Sequence, residues 1–85
     1  MASEPPLILT VYSRPDCHLC DEMLEALQRL QGLFHFGITV IDVDTDPELG
    51  RRHGESVPVL MHDGNELCRY RLDPSFVTAY LSKFR

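Results

Sequence analysis

Tryptophan is absent from this 85-residue chain, and lysine occurs once, as Lys83. Eight basic residues, seven of them Arg, face thirteen acidic ones, for a formal net charge of −5. No basic run follows that would track a phosphate backbone, so nucleic acid is not an expected partner. Acidity of this kind favours solubility but does not choose a fold. Long apolar runs are missing too. The run Leu7 to Tyr12 is far short of the roughly 20 residues of a bilayer-spanning helix. No basic residues precede it, and Glu4 makes that end acidic, unlike a signal peptide. The expectation is a cytoplasmic protein with no membrane partner. Cysteine is scarce and odd in number, at Cys17, Cys20 and Cys68. An odd count does not complete a disulfide framework. In a reducing compartment, disulfides are usually transient and catalytic rather than structural.

What is present fits one small domain. The hydrophobic share is 44%, ordinary for a globular chain, and the core must be compact. Residues 1–6 read as a flexible tail, with two prolines and no periodicity; residues 7–85 read as the domain. Leu7 to Ser13 is apolar and partly β-branched, a buried strand. Met23, Leu24, Leu27, Leu30 and Leu33 or Phe34 recur at helical spacing, which predicts a helix over about His18 to Phe34. Ile38 to Val43 is a second strand. Asp46-Pro47 is a helix start, and that helix stops by Gly54. Val57 to His62 and Glu66 to Leu72 form a hairpin around Asp63-Gly64-Asn65. Asp73-Pro74 opens a last helix whose Phe76, Val77, Tyr80, Leu81 and Phe84 are expected in the core. The predicted class is α/β, in the order β-α-β-α-β-β-α, with a four-stranded mixed sheet flanked by helices.

The chemistry concentrates at Cys17-His18-Leu19-Cys20, where the first strand turns into the first helix. Cysteines three apart on a helix share a face and can bond. Cys17 sits at the helix N-terminus, where free amide N–H groups and the positive end of the dipole favour a thiolate. A stabilised thiolate is a nucleophile. Cys20, one turn further in, is placed to resolve a mixed disulfide. A C-x-x-C beside a βαβ pattern reads as a thioredoxin-like redox motif.

At this point the chain resembles the glutaredoxin branch of the thioredoxin superfamily. The resemblance runs from Leu7 to about Leu81. It rests on the strand–CxxC–helix, the Asp42-to-Leu49 segment (DVDTDPEL) after the second strand, and Val57-Pro58 opening the third. The run Cys17-His18-Leu19-Cys20-Asp21-Glu22 looks more like a small glutaredoxin-like family than a standard glutaredoxin. The resemblance implies a thioredoxin fold and a dithiol–disulfide oxidoreductase, with Cys17 as nucleophile and Cys20 as resolving thiol. It implies a cis peptide before Pro58, with Val57 offering its backbone to an extended substrate. The plainer reading of Pro58 is a proline that merely opens a strand. Leu19 and Arg14 complete the expected substrate surface, Arg14 facing a glycine carboxylate of glutathione. No cofactor is required; glutathione is an expected co-substrate. A disulfide-containing protein or a glutathione mixed disulfide is the expected partner of a monomer.

Departures from the pattern lie at two places. His18-Leu19 replaces the usual Pro and aromatic between the cysteines. His18 either tunes the thiolate when protonated, or is a solvated first-turn residue. The glycines that usually cradle the γ-glutamyl end of glutathione are replaced by Tyr70-Arg71-Leu72-Asp73-Pro74. Cys68 reads as a small buried hydrophobe. His35, His53 and His62 lack motif spacing and read as surface or partly packed. Asp42, Asp44 and Asp46 lack the EF-hand spacing and read as a solvated strand end and a helix cap. Two other functions compete with the oxidoreductase. One is a metal or iron–sulfur module in which two thiolates are half a tetrahedral site; with no second C-x-x-C, the other ligands must come from His18, a bound thiol or a second chain. The other is a non-catalytic adaptor that keeps the fold.

Overall fold

The structure, a computed structural model, describes residues 7–84. The expected tail over residues 1–6 lies outside them. Eight apolar or part-apolar segments take regular form. They are β1 (Ile8–Ser13), α1 (His18–Leu30), β2 (Gly37–Asp42), a 3-10 turn (Val43–Thr45), α2 (Pro47–His53), β3 (Val59–His62), β4 (Asn65–Arg69) and α3 (Pro74–Ser82). The strand and helix order is the one read from the sequence.

The sheet is four-stranded and mixed, in the order β2-β1-β3-β4. β1 and β2 run parallel, with Ile8 opposite Gly37 and Ser13 opposite Asp42. β3 is antiparallel to β1, Tyr12 facing Val59 and Thr10 facing Met61. The β3–β4 hairpin closes on Asp63 and Gly64, both with positive φ (50° and 82°), which a two-residue I′ turn requires.

Alternation along each strand sends one set of side chains to a single core. Leu9 and Val11 of β1, Leu60 of β3 and Cys68 of β4 meet Met23 and Leu27 of α1 and Val77 and Leu81 of α3. Burial of each large apolar side chain stabilises the fold by about 1.5–3 kcal/mol relative to exposure. The opposite face is covered differently. There Val43 and Val59 are fully buried, and Tyr12 stacks on His53 of α2 with ring centroids 4.7 Å apart. The helix α2 itself buries no residue. Its start is fixed locally, because Asp46 accepts the Glu48 N–H at 2.9 Å and Pro47 follows at the first helical position.

Several boundaries differ from the sequence reading. α1 ends at Leu30, one turn early, and the Phe34 N–H bonds the Leu30 carbonyl in a tightened turn. That turn still buries Phe34, whereas Leu33 is exposed. β3 begins at Val59 rather than Val57, and β4 ends at Arg69 rather than Leu72. The aromatic stripe of α3 is also corrected. Val77 and Leu81 are core, but Phe76 is 47% and Phe84 45% exposed. A nine-residue helix turns only one narrow face to the sheet, and Phe76, Tyr80 and Phe84 lie beside that face. They pack on one another and on His62, which is buried rather than superficial and bonds the Tyr80 hydroxyl through Nδ1. His35 is exposed and His53 half-buried.

Candidate active site

The parallel strand β1 delivers the chain to the Arg14-Pro15-Asp16 turn, and Asp16 takes a positive φ of 57°. Aspartate tolerates that region better than most residues. The turn leaves Cys17 as the N-cap of α1, in extended backbone at φ −107° and ψ 105°. Its carbonyl accepts the Asp21 N–H at 3.1 Å, and its Sγ accepts the Cys20 N–H at 3.2 Å. A cysteine sulfur thus takes the place of the usual capping oxygen. One turn on, Cys20 lies with its Cα 5.2 Å from that of Cys17, and the two form a disulfide. The sulfurs are unequal: Cys17 is half-buried, and Cys20 is 2% exposed.

Around this pair the other candidate residues separate. His18 is solvated and pairs with Glu22 at 2.8 Å. Arg14 is engaged as well, its Nε donating to Asp44 Oδ1 at 3.0 Å. Its guanidinium packs over Gly54, where a Cβ would lie 2.4 Å from the Gly50 carbonyl oxygen and 3.0 Å from Arg14 itself. The side chain expected to meet a glycine carboxylate is therefore engaged in holding the turn to the segment after β2. Asp42 and Asp46 cap the 3-10 turn and α2.

The Val57–Pro58 peptide is cis, and Pro58 is buried. The pairing of Tyr12 with Val59 sets Pro58 at the same end of the sheet as the Cys17 turn. Among the described residues, the Val57 backbone makes no hydrogen bond. A groove of about 330 Å³ runs between α1 and the segment after β4. Leu19, Met23, Ala26, Tyr70 and Leu72 line it, with Glu22, Glu25, Arg29 and Arg71.

Tyr70 is the residue that sequence reasoning missed. It has φ +68°, and the Arg71 N–H bonds the Arg69 carbonyl at 2.7 Å across it. A bulky aromatic in that region costs on the order of 1–3 kcal/mol and marks strain. The turn ends β4 and replaces the glycines expected there. No propensity forecasts a positive φ at tyrosine; only the missing glycines hinted at it.

Cys68 is far less accessible than Cys17. It is buried in β4, opposite Leu60, and its Sγ accepts the Asp73 N–H at 3.5 Å. Burial pushes its thiol pKa up, only partly countered by that hydrogen bond. Among the described residues, no group of three or more His, Cys, Asp or Glu side chains is placed to hold a metal ion. Among the described residues, no third His, Cys, Asp or Glu joins Cys17 and Cys20 in such a group. No described helix is long and apolar enough to cross a membrane.

The family model described as "Glutaredoxin-like domain (DUF836)" matches residues 8–82. The chain belongs to this glutaredoxin-like family. The match takes in every strand and helix of the described residues and both cysteines of the pair. The glutaredoxin-like domain is also 41% identical to the solution structure of protein Ne2328 from Nitrosomonas europaea, with a TM-score of 0.82, over 95% of this chain and 96% of that one. It is 34% identical to the structural genomics target protein XcR50 from X. campestris, TM-score 0.73, over 88% of this chain and 96% of that one. Thioredoxin 1 from Thermosipho africanus is 21% identical, over 92% of this chain and 98% of that one, with a TM-score of 0.60, and shares the thioredoxin fold. No curated protein matches the chain.

Proposed function

We propose that this glutaredoxin-like domain is a thiol–disulfide oxidoreductase that cycles Cys17 and Cys20 between dithiol and disulfide. The observation that carries the reading is the inequality of the two sulfurs at a helix start: Cys17 is reachable and Cys20 is buried behind it. In the reduced protein, the Cys20 N–H and the α1 dipole favour a thiolate on Cys17. That thiolate attacks one sulfur of a substrate disulfide, forming a Cys17 mixed disulfide and releasing the other sulfur as a thiolate. Cys20, deprotonated, then attacks the Cys17 sulfur. The substrate's second thiolate leaves, and the Cys17–Cys20 disulfide forms. The substrate gains two electrons and the pair loses two. A thiol reductant restores the pair by the reverse exchange, entering at Cys17.

Pro58 in its cis form shapes the loop beside the pair, and Val57 has its N–H and C=O free to pair with an extended substrate. Leu19 supplies apolar contact at the same end. In this reading no cofactor is needed. Glutathione serves as a co-substrate in the cytoplasm, and a protein disulfide or glutathione mixed disulfide is the partner of a monomeric enzyme. His18 and Arg14, engaged by Glu22 and Asp44, are given supporting parts only.

The test is equilibration in graded glutathione redox buffers, followed by alkylation of free thiols and mass measurement. The expected result is a reversible loss of two hydrogens at Cys17 and Cys20, and a glutathione adduct on Cys17 in the Cys20→Ser variant. A pair that stays reduced throughout, with no adduct, overturns the reading.

A further inference from the structure

The turn that ends β4 does more than stop a strand. Tyr70 sends two hydrogen bonds into the loop that precedes β3. Its backbone N–H donates to the Pro58 carbonyl at 2.8 Å, and its hydroxyl donates to the Glu55 carbonyl at 3.4 Å. These two carbonyls flank Val57, whose own N–H and C=O have no hydrogen-bond partner among the described residues. The loop is thus held on both sides of Val57 while Val57 itself is left open. The hold is bought with a positive φ at a bulky residue, which persists only where the surroundings over-determine it. The ring also lines the groove that begins at Leu19, next to Cys20.

We infer that Tyr70 is a positioning residue that keeps the Val57 backbone extended to receive the main chain of a polypeptide disulfide. The inference rests on the thiol-exchange reading and assigns to Tyr70 the hold on the loop that meets such a backbone. A small disulfide with no amide groups has nothing to pair with Val57, and its exchange should not depend on Tyr70.

The experiment compares two substrates in three proteins. One substrate is a mixed disulfide between a cysteine-containing pentapeptide and glutathione; the other is 2-hydroxyethyl disulfide. The proteins are the unaltered chain, Tyr70→Phe, which removes the hydroxyl with its bond to Glu55 and its contact with Arg69 but keeps the ring, and Tyr70→Gly, which relieves the turn and removes the ring. Loss of one neutral hydrogen bond predicts a KM for the peptide substrate raised by about 3- to 10-fold in Tyr70→Phe, with kcat unchanged. Tyr70→Gly should raise it further. KM for 2-hydroxyethyl disulfide, and the rate at which iodoacetamide alkylates reduced Cys17, should stay the same in all three. A merely structural role would lower thermal stability without this split between substrates. An unchanged peptide KM in both variants, or an equal rise for both substrates, overturns the role of Tyr70 while leaving thiol exchange standing. Absence of exchange with either substrate in the unaltered chain overturns both.

Discussion

Cys17 and Cys68 carry the same side chain in two opposed settings. Cys17 stands at the N-terminus of α1, half-buried, with its sulfur accepting an amide N–H and bonded to Cys20. Cys68 lies mid-strand in β4, 9% exposed, against Leu60 and within the core that includes Val77 and Leu81. At the helix start, unpaired N–H groups and the dipole favour a negative sulfur. In the sheet, desolvation disfavours it and raises the thiol pKa. The difference teaches that the reactivity of a thiol is set by the element it caps or fills and by its access to solvent.

The sharpest break of this comparison is at the level of activity. Cys17→Ser should lower the rate of disulfide exchange by about a thousandfold or more, because no second nucleophile is placed at that position. Cys68→Ala should leave the rate within about two-fold, since it alters only packing remote from the exchange step. A coupled thiol–disulfide assay on both purified variants decides it. Comparable losses in the two would erase the distinction between the settings.

Accessibility gives the next largest effect. In the fully reduced native protein, alkylation of Cys68 should be at least about a thousandfold slower than that of Cys17, because it waits for opening of the core. Mass spectrometry of peptides after timed labelling separates the two. The raised Cys68 pKa also fixes a sign. A thiol whose folded pKa lies above its unfolded one adds stability below the unfolded pKa, and that stability is lost as pH rises through the folded value. Thermal unfolding should therefore show an alkaline loss of stability that Cys68→Ala makes shallower.

Leu60 offers a test through packing. It is fully buried and sits across the hairpin from Cys68. Leu60→Ala should cost about 2–5 kcal/mol in denaturant unfolding, from lost transfer energy and the cavity left behind. The same variant should speed alkylation of Cys68 more than that of Cys17, since only Cys68 depends on that core for protection. Equal acceleration at both sites would mean that they open as one unit.

How far these settings were legible in the sequence varies with the range of the forces involved. The Cys17 site is local: a strand, a breaking turn and a helix start are written in adjacent residues, and the capping geometry follows from them. The helix starts at Asp46-Pro47 and Asp73-Pro74 are local in the same way and occur as read. Burial of Cys68 followed from a strand pattern and the usual habit of free cysteine. The fate of Arg14 was not legible, because Asp44 lies thirty positions away and pairs with it only once β1 and β2 are in register. The exposure of Phe76 and Phe84 was not legible either, since hydrophobicity says which residues prefer burial but not how wide a face the sheet covers. Tyr70 was hidden for a third reason. Its positive φ goes with a hydrogen bond to the Pro58 carbonyl, a contact between the ends of two different strands.

The smallest expected effect lies at Asp73, which touches both the helix end and the buried thiol. Its carboxylate accepts the Phe76 N–H at 3.1 Å as the N-cap of α3, while its backbone N–H reaches the Cys68 sulfur at 3.5 Å. Its charge is also one of the lesser causes that raise the Cys68 pKa, behind burial. Asp73→Ala removes cap and charge together and should cost about 1 kcal/mol. Asp73→Asn keeps a capping oxygen, so its stability should stay closer to that of the unaltered chain, while the charge beside Cys68 is gone. Thiolate absorbance of Cys68, measured against pH in a background lacking Cys17 and Cys20, should then titrate slightly lower in Asp73→Asn but stay above an exposed thiol. A fall to the exposed value would make charge, not burial, the source of the contrast between the two cysteines. No movement at all would remove the Asp73 charge from the causes of the raised Cys68 pKa and leave burial as the largest of them.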